Sequence, residues 1–514
     1  MNGIQRAVDG KMTGFFMKHR DIFISTGLWG ILAHGMALFN KYSFHDDAGL
    51  FSVGATYSSG RWMLGILDEG IRKLTGSPHY SMPLFNGIVA ICFIALSCVL
   101  VSEILDIKSG LLRILLTGGM TVFPMVAGVF GYIFTAPYYF VGTFMGVSGV
   151  WLFSRPARWY HYLAGIVLMA CSTGVYQANI PVCVSLFLVY MIKETSGTMR
   201  TEWKKLLRCY VSCVSGSIGF LIAYLAVNKF FLSLKGIQLT DYNGINGFGR
   251  TSWRGYLWRI RLAYTEFIKP TEGVRNMYPF SLDKLYGLMI VAAIIMTLYL
   301  IYRKQKESLL LGSLFLGLVI FIPLAVNFIY VMCDVSSIHS LMMYGEVFFF
   351  VYFVWVSDCV KRQGVPLGNV TANAAAVVAF IMCLGYCRFD NAYYLKAEFL
   401  QEQTISYYTT LITRIKSTGG YTDDTKVVYI NEYRKTDLSL PDIPEFDEIH
   451  ILPYNSSNWI NDYLWKESMK MWCGFAPQTE DSSGYAELPE VLGMPCYPDD
   501  GSIKMINGVL VVKF

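Results

Sequence analysis

The chain has 514 residues, 54% of them hydrophobic and only 15% charged, against about a quarter charged in ordinary soluble proteins; mean hydropathy is +0.42 and aromatics reach 15%. That balance excludes a disordered chain, a fibrous chain and a water-soluble enzyme of the usual type. A net charge of +5 from 42 basic and 37 acidic residues is too even to argue for nucleic acid, and the 12 Cys form no CxxC pair, Cys/His cluster or disulfide framework. What remains is a polytopic membrane protein.

A helix needs about 20 apolar residues to cross the hydrocarbon core. Eleven such windows lie near 21–39, 84–104, 113–134, 138–153, 160–176, 178–192, 208–231, 285–301, 308–331, 341–357 and 371–387. The first is no cleaved signal peptide, since only Asn40-Lys41-Tyr42 follows it. Lys and Arg set the direction. The N-terminal tail carries Arg6, Lys11, Lys18 and Arg20, and the loops after even-numbered spans carry further basic residues, from Lys108 and Arg113 to Lys361 and Arg362. The short loops around Ala136-Pro137, Asn179 and Asp334-Ser340 carry none. The N-terminus is therefore expected inside and the C-terminus outside. Loops 40–83 and 232–284 and the tail then fall on the outer face. No GxxxxGK[ST] or strand-linked GxGxxG marks a cytoplasmic nucleotide site.

The first outer loop runs Tyr42-Ser43-Phe44-His45-Asp46-Asp47, then Gly60-Arg61-Trp62 and a stretch to Leu74 whose apolar and charged residues suit a helix lying in the interface. As an N-cap, or as a pair that prefers water, Asp46-Asp47 needs no further role. Held at a cavity rim, it is placed to take a proton from a hydroxyl. Gly60-Arg61-Trp62 is either a turn before an interfacial Trp or a phosphate clamp built on Arg61. The second outer loop alternates aromatics with Arg from Trp253 to Leu262 and holds eight Lys or Arg between Lys235 and Lys284. Arg250 and Arg254 either grip phosphate or anchor the loop on lipid headgroups. Glu346, inside span ten, is a functional candidate because ionisable groups in membranes are costly. It joins His45, Trp62, His339 and Tyr344 as expected cavity residues. Asn228 and Lys229 are expected to snorkel.

The tail changes character. Lys396 to Ser417 is expected as an amphipathic helix, 426–430, 448–452 and 508–512 as strands, and Asn458 to Trp472 as a helix, together a small α/β domain. Cys473 and Cys496 both fall there, as a disulfide or as two packed thiols.

The first-loop elements Tyr42-x-x-His45-Asp46-Asp47 and Gly60-Arg61-Trp62 resemble the bacterial glucosyltransferase II family, which includes serotype-converting O-antigen glucosyltransferases of phages and Gram-positive relatives. Enterobacterial members carry Pro where this chain has Trp62. The resemblance implies the GT-C architecture: an all-α polytopic membrane protein of about eleven transmembrane helices, with a catalytic part at 1–390 and an extracytoplasmic α/β domain at 391–514. It implies an inverting hexosyltransferase of the bacterial cytoplasmic membrane, acting on its outer face. A polyprenyl-phosphate sugar, glucose for preference, would be the donor, and a cell-envelope glycan (O-antigen, cell wall polysaccharide or teichoic acid) the acceptor. One of Asp46 and Asp47 would be the general base, with Arg61, Arg250 and Arg254 on the donor phosphate. The expected cofactor is none, with metal-independent chemistry, because Arg side chains can stabilise a phosphate leaving group. A polyprenyl-phosphate glucose synthase and a flippase would act upstream. The competing readings are a flippase or transporter for lipid-linked glycans, and a polysaccharide polymerase.

Overall fold

The computed structural model describes residues 13–42, 47, 56–155, 158–240, 251–269, 280–334, 338, 340–364, 366–432, 440–443, 446 and 464–514. Contacts divide the chain into two units: Met1–Lys41, Val53–Tyr393 and Pro444–Leu452 form the first, and Tyr42–Ser52, Tyr394–Ile443 and Pro453–Phe514 the second.

The first unit is helical. Its elements are α1 (Arg20–Phe39), α2 (Trp62–Thr75), α3 (Pro83–Leu105), α4 (Gly110–Val122), α5 (Pro124–Phe130), α6 (Ala136–Phe153), α7 (Trp159–Val175), α8 (Asn179–Gly197) and α9 (Trp203–Lys235). They continue with α10 (Trp253–Ile268), α11 (Phe280–Glu307), α12 (Leu309–Ile320), α13 (Ile322–Val326), α14 (Ile329–Met332), α15 (Val347–Arg362) and the start of α16 (Pro366–Ser417). Among the described residues 7 helices are long and apolar enough to cross a membrane, or 8 if the bent pair α4–α5 is one span. The remaining expected windows, at 138–153, 160–176 and 341–357, are helices of 18, 17 and 16 residues.

Exposed apolar rows on α9 (Leu207, Val211, Val214, Ile218, Ile222, Leu225) and α11 (Leu288, Val291, Ile295, Leu298) make the outer surface one that lipid covers and water would not. This is a membrane protein. Inside, α6 packs tightly on α7 and α3. Gly142, Gly146 and Gly149 form a small-residue stripe that lets the α6 and α7 backbones approach; a Cβ on Gly149 would stand 2.8 Å from Gly165 O. Helix α15 is buried from Val347 to Asp358, as a helix apolar all round must be. Its Asp358 accepts from Lys108 N and Ser109 N at the start of α4, and pairs with Arg362 Nε at 3.0 Å.

The window at 113–134 is not one straight helix. It bends by 44° between α4 and α5, where Pro124 has no N–H for the carbonyl of Met120. Tyr344 Oη donates to that carbonyl at 2.7 Å, and His34 Nε2 lies 2.9 Å from Thr121 O, the next one.

Helix α16 corrects the expected break between span eleven and the tail, for it runs unbroken over 52 residues. Asp390 and Lys396, in the stretch that joins the apolar window to the expected tail helix, are both buried.

The second unit holds a three-stranded sheet in the order β1–β3–β2, with β1 (Val427–Ile430) parallel to β3 (Val509–Lys513) and β2 (Ile503–Ile506) antiparallel to it. Alternation divides the strands between two apolar layers. Val427, Tyr429, Leu510 and Val512 face Leu411, Ile415 and Trp465, while Val428, Val509 and Val511 face Val491 and Met494. The expected helix appears as α17 (Trp465–Cys473), followed by the short α18 (Pro489–Leu492). Cys473 and Cys496 are free thiols. The expected strand at 448–452 lies outside the described residues.

Candidate active site

The Gly60-Arg61 turn is held in place by side chains from two other segments of the chain. A 3-10 turn, Tyr57–Ser59, ends at Gly60 in the left-handed region (φ 75°), and Arg61 then starts α2. Glycine is required twice over. Its φ disfavours any side chain, and a Cβ would stand 2.7 Å from Tyr224 Oη and 2.8 Å from Gln177 Nε2. Those two groups hold the turn: Gln177 Nε2 donates to Ser59 O at 2.7 Å, and Tyr224 Oη donates to Gly60 O at 3.2 Å.

Arg61 is only 9% exposed, and its guanidinium lies over the Tyr176 ring, 4.9 Å from the centroid. Tyr176 in turn stacks on Tyr139 at 4.6 Å. Trp62 stacks on Phe231 and abuts Gly174. Three buried polar atoms border this arrangement with no hydrogen-bond partner among the described residues: Gln177 Oε1, Asn228 Oδ1 and Trp62 Nε1. Two acceptors and a donor, already dehydrated, suit a ligand rich in hydroxyls.

Helix α2 is tied down through Glu69. Glu69 Oε1 accepts from Tyr57 Oη at 3.0 Å and from Lys235 Nζ at 3.1 Å, with the Lys235 ammonium 4.0 Å from the centre of the Tyr57 ring. The Lys235 hydrogen bond holds the Glu69 carboxyl below its ordinary pKa. Burial, then the bond to Glu69, pushes the Tyr57 phenol up to about 12, so it remains a donor. Within the helix Asp68 pairs with Arg72, one turn further on, at 2.8 Å. His79 meets Tyr138 edge-on at 4.9 Å, and burial lowers its pKa.

The expected residues do not all gather here. Asp47 is fully buried, which excludes a carboxylate hanging in bulk water, and Tyr42 stacks on Tyr394 within the second unit. His45, Asp46, Arg250 and His339 lie outside the described residues. Arg254 is exposed on α10 beside Trp253 and Trp258. The buried arginine of that helix is Arg259, which reaches Val331 O at 3.4 Å and Asp334 at 3.5 Å.

Two placements need correction. Glu346 does not sit inside a helix; it occupies a 3-10 turn as the N-cap of α15, where a carboxylate complements the helix dipole. Asn228 does not snorkel: it is buried facing Gly60. Tyr344 serves the bend at Pro124. The residues that shape the turn, Tyr176, Gln177, Tyr224 and Asn228, were not among those expected, and only the polarity of Gln177 and Asn228 within apolar windows signalled them.

Residues 35–350 match the family described as Glucosyl transferase GtrII. No curated protein and no solved structure matches the chain.

Proposed function

We infer the reaction from this premise: the chain belongs to the glucosyl transferase GtrII family, and so is a membrane glycosyltransferase. The donor is a polyprenyl-phosphate hexose, glucose for preference, and the acceptor a cell-envelope glycan at the outer face of the cytoplasmic membrane. A synthase of the lipid-linked sugar and a flippase supply the donor.

In one displacement the acceptor hydroxyl oxygen bonds to the anomeric carbon as the bond from that carbon to the phosphate oxygen breaks, inverting the centre. One of Asp46 and Asp47 takes the hydroxyl proton, a step worth about 10²–10⁴-fold when the base is well placed. Polyprenyl phosphate leaves with the electron pair, and Arg61 stabilises the charge that develops on it. Prearranged cationic donors of this kind contribute about 3–4 kcal/mol. The reaction needs no metal for that charge. The sugar hydroxyls meet Gln177 Oε1, Asn228 Oδ1 and Trp62 Nε1.

The observation that carries this reading is the fixed setting of Arg61, a guanidinium seated on an aromatic ring in a turn locked by Gln177 and Tyr224. Purified protein given radiolabelled polyprenyl-phosphate glucose and candidate glycans should label acceptor with or without chelator. Asp46→Asn or Asp47→Asn should lower turnover about 100-fold. Full turnover by both Asp variants would remove the general base, and loss of activity on chelation would overturn the metal-free reaction.

A further inference from the structure

A cavity of about 550 Å³ lies between the second half of α2, the start of α3 and the start of α6. We propose that it holds the hydrocarbon chain of the isoprenoid donor, an assignment that rests on the function proposed above. Its walls are Leu67 and Ile71 from α2, Phe85, Val89 and Phe93 from α3, and Val141 from α6. The volume is that of a ligand pocket, and an apolar lining of this kind suits a chain better than a sugar.

Position separates this cavity from an ordinary packing gap. Two of its apolar lining residues are themselves exposed, Leu74 at 86% and Phe85 at 61%, so the cavity opens on an apolar surface. Helix α2 carries Arg61 at one end and the cavity wall farther along. At 1.5 Å per residue, Leu67 stands about 9 Å and Leu74 about 20 Å from Arg61 along the axis, a span that a few isoprene units cover. By helical spacing Arg61, Asp68 and Arg72 share one face of α2, next to the Ile71 edge of the wall. Arg72 on that face is paired with Asp68. An anionic head at Arg61 with its chain laid along α2 is therefore accommodated by a single helix.

The cavity also has a polar end. Tyr138 and Asn86 line it there; Asn86 Nδ2 donates to Tyr80 O at 3.2 Å and to Ile133 O at 3.3 Å, while Asn86 Oδ1 is buried without a hydrogen-bond partner among the described residues.

The test uses full-length protein in nanodiscs of phosphatidylglycerol and a polyprenyl phosphate carrying a diazirine on its chain. Photolabelling should fall on Ile71, Phe85, Val89 or Val141 and be competed by unlabelled polyprenyl phosphate. Labelling elsewhere, or equal competition by added phosphatidylglycerol, would overturn the assignment, the latter by making the occupant an ordinary acyl chain. Ile71→Trp and Val89→Trp, checked for unchanged thermal unfolding, should raise KM for a long-chain donor about tenfold with little change in kcat. KM for a donor with one isoprene unit should stay unchanged. Turnover with an unlabelled cavity and unchanged KM would sink this assignment alone. Labelling of the cavity without sugar transfer would support the lipid site and sink the transferase reaction alone.

Discussion

Two arginines that look alike in sequence, Arg61 and Arg254, have opposite settings. Each stands beside a tryptophan at the start of an amphipathic helix. Arg61 is buried on Tyr176 behind a locked turn, whereas Arg254 stands exposed among Trp253, Leu257 and Trp258, with Arg259 taking the buried place on its helix. A guanidinium paid for with burial and fixed geometry suits a reacting phosphate. One free to move among aromatics on a surface suits the headgroups of a bilayer. Motif and neighbours do not separate the two settings; burial does.

The largest expected effect breaks the comparison if it fails. Arg61→Ala should lower kcat/KM for donor at least 100-fold, with Arg61→Lys recovering little because an ammonium has neither the planar fork nor the ring stacking. Arg254→Ala should cost less than tenfold in the same assay, and weaken binding to anionic vesicles in a salt-dependent way. Equal losses in turnover would mean that the two settings are functionally alike. Next comes Gly60→Ala, which must adopt a left-handed backbone and displace Tyr224 and Gln177. It should lower stability by about 1–3 kcal/mol and reduce turnover in parallel, measured by thermal unfolding and initial rates. The smallest effect concerns the Glu69 tie. Its depressed pKa means that it contributes above the ordinary carboxylate pKa and is lost as pH falls through the lowered value. The pair is half exposed, so its worth is about 0.2–1 kcal/mol. Wild type should lose this increment on acidification while Glu69→Gln, lacking it, shows a flatter melting profile over the same pH range.

The membrane part was legible in outline, because apolar windows and the charges between them follow from the cost of burying charge in lipid. Its details were hidden for identifiable reasons. The apolar window closes near 387 because charged residues follow it, yet Asp390 and Lys396 are buried in a continuing helix. In the tail, the valine-rich runs gave β1 and β3. For β2 the legible signal is the turn: Asn507-Gly508, both with positive φ, joins it to β3 as a hairpin. The Gly60-Arg61 turn was visible as a motif. The residues that lock it were not, because Gln177 and Tyr224 lie 118 and 164 positions beyond the backbone carbonyls they bind.

The bend at Pro124 bears on how the protein is made. Two bare peptide carbonyls in hydrocarbon are costly, and here they are covered by side chains from the earliest and the tenth expected crossings, His34 and Tyr344. The kinked segment therefore cannot reach its final, fully covered state until more than two hundred further residues have left the ribosome. Its early neighbours must tolerate a half-satisfied backbone in the meantime, and a chain cut short before Tyr344 should leave that segment accessible to insertion-quality control.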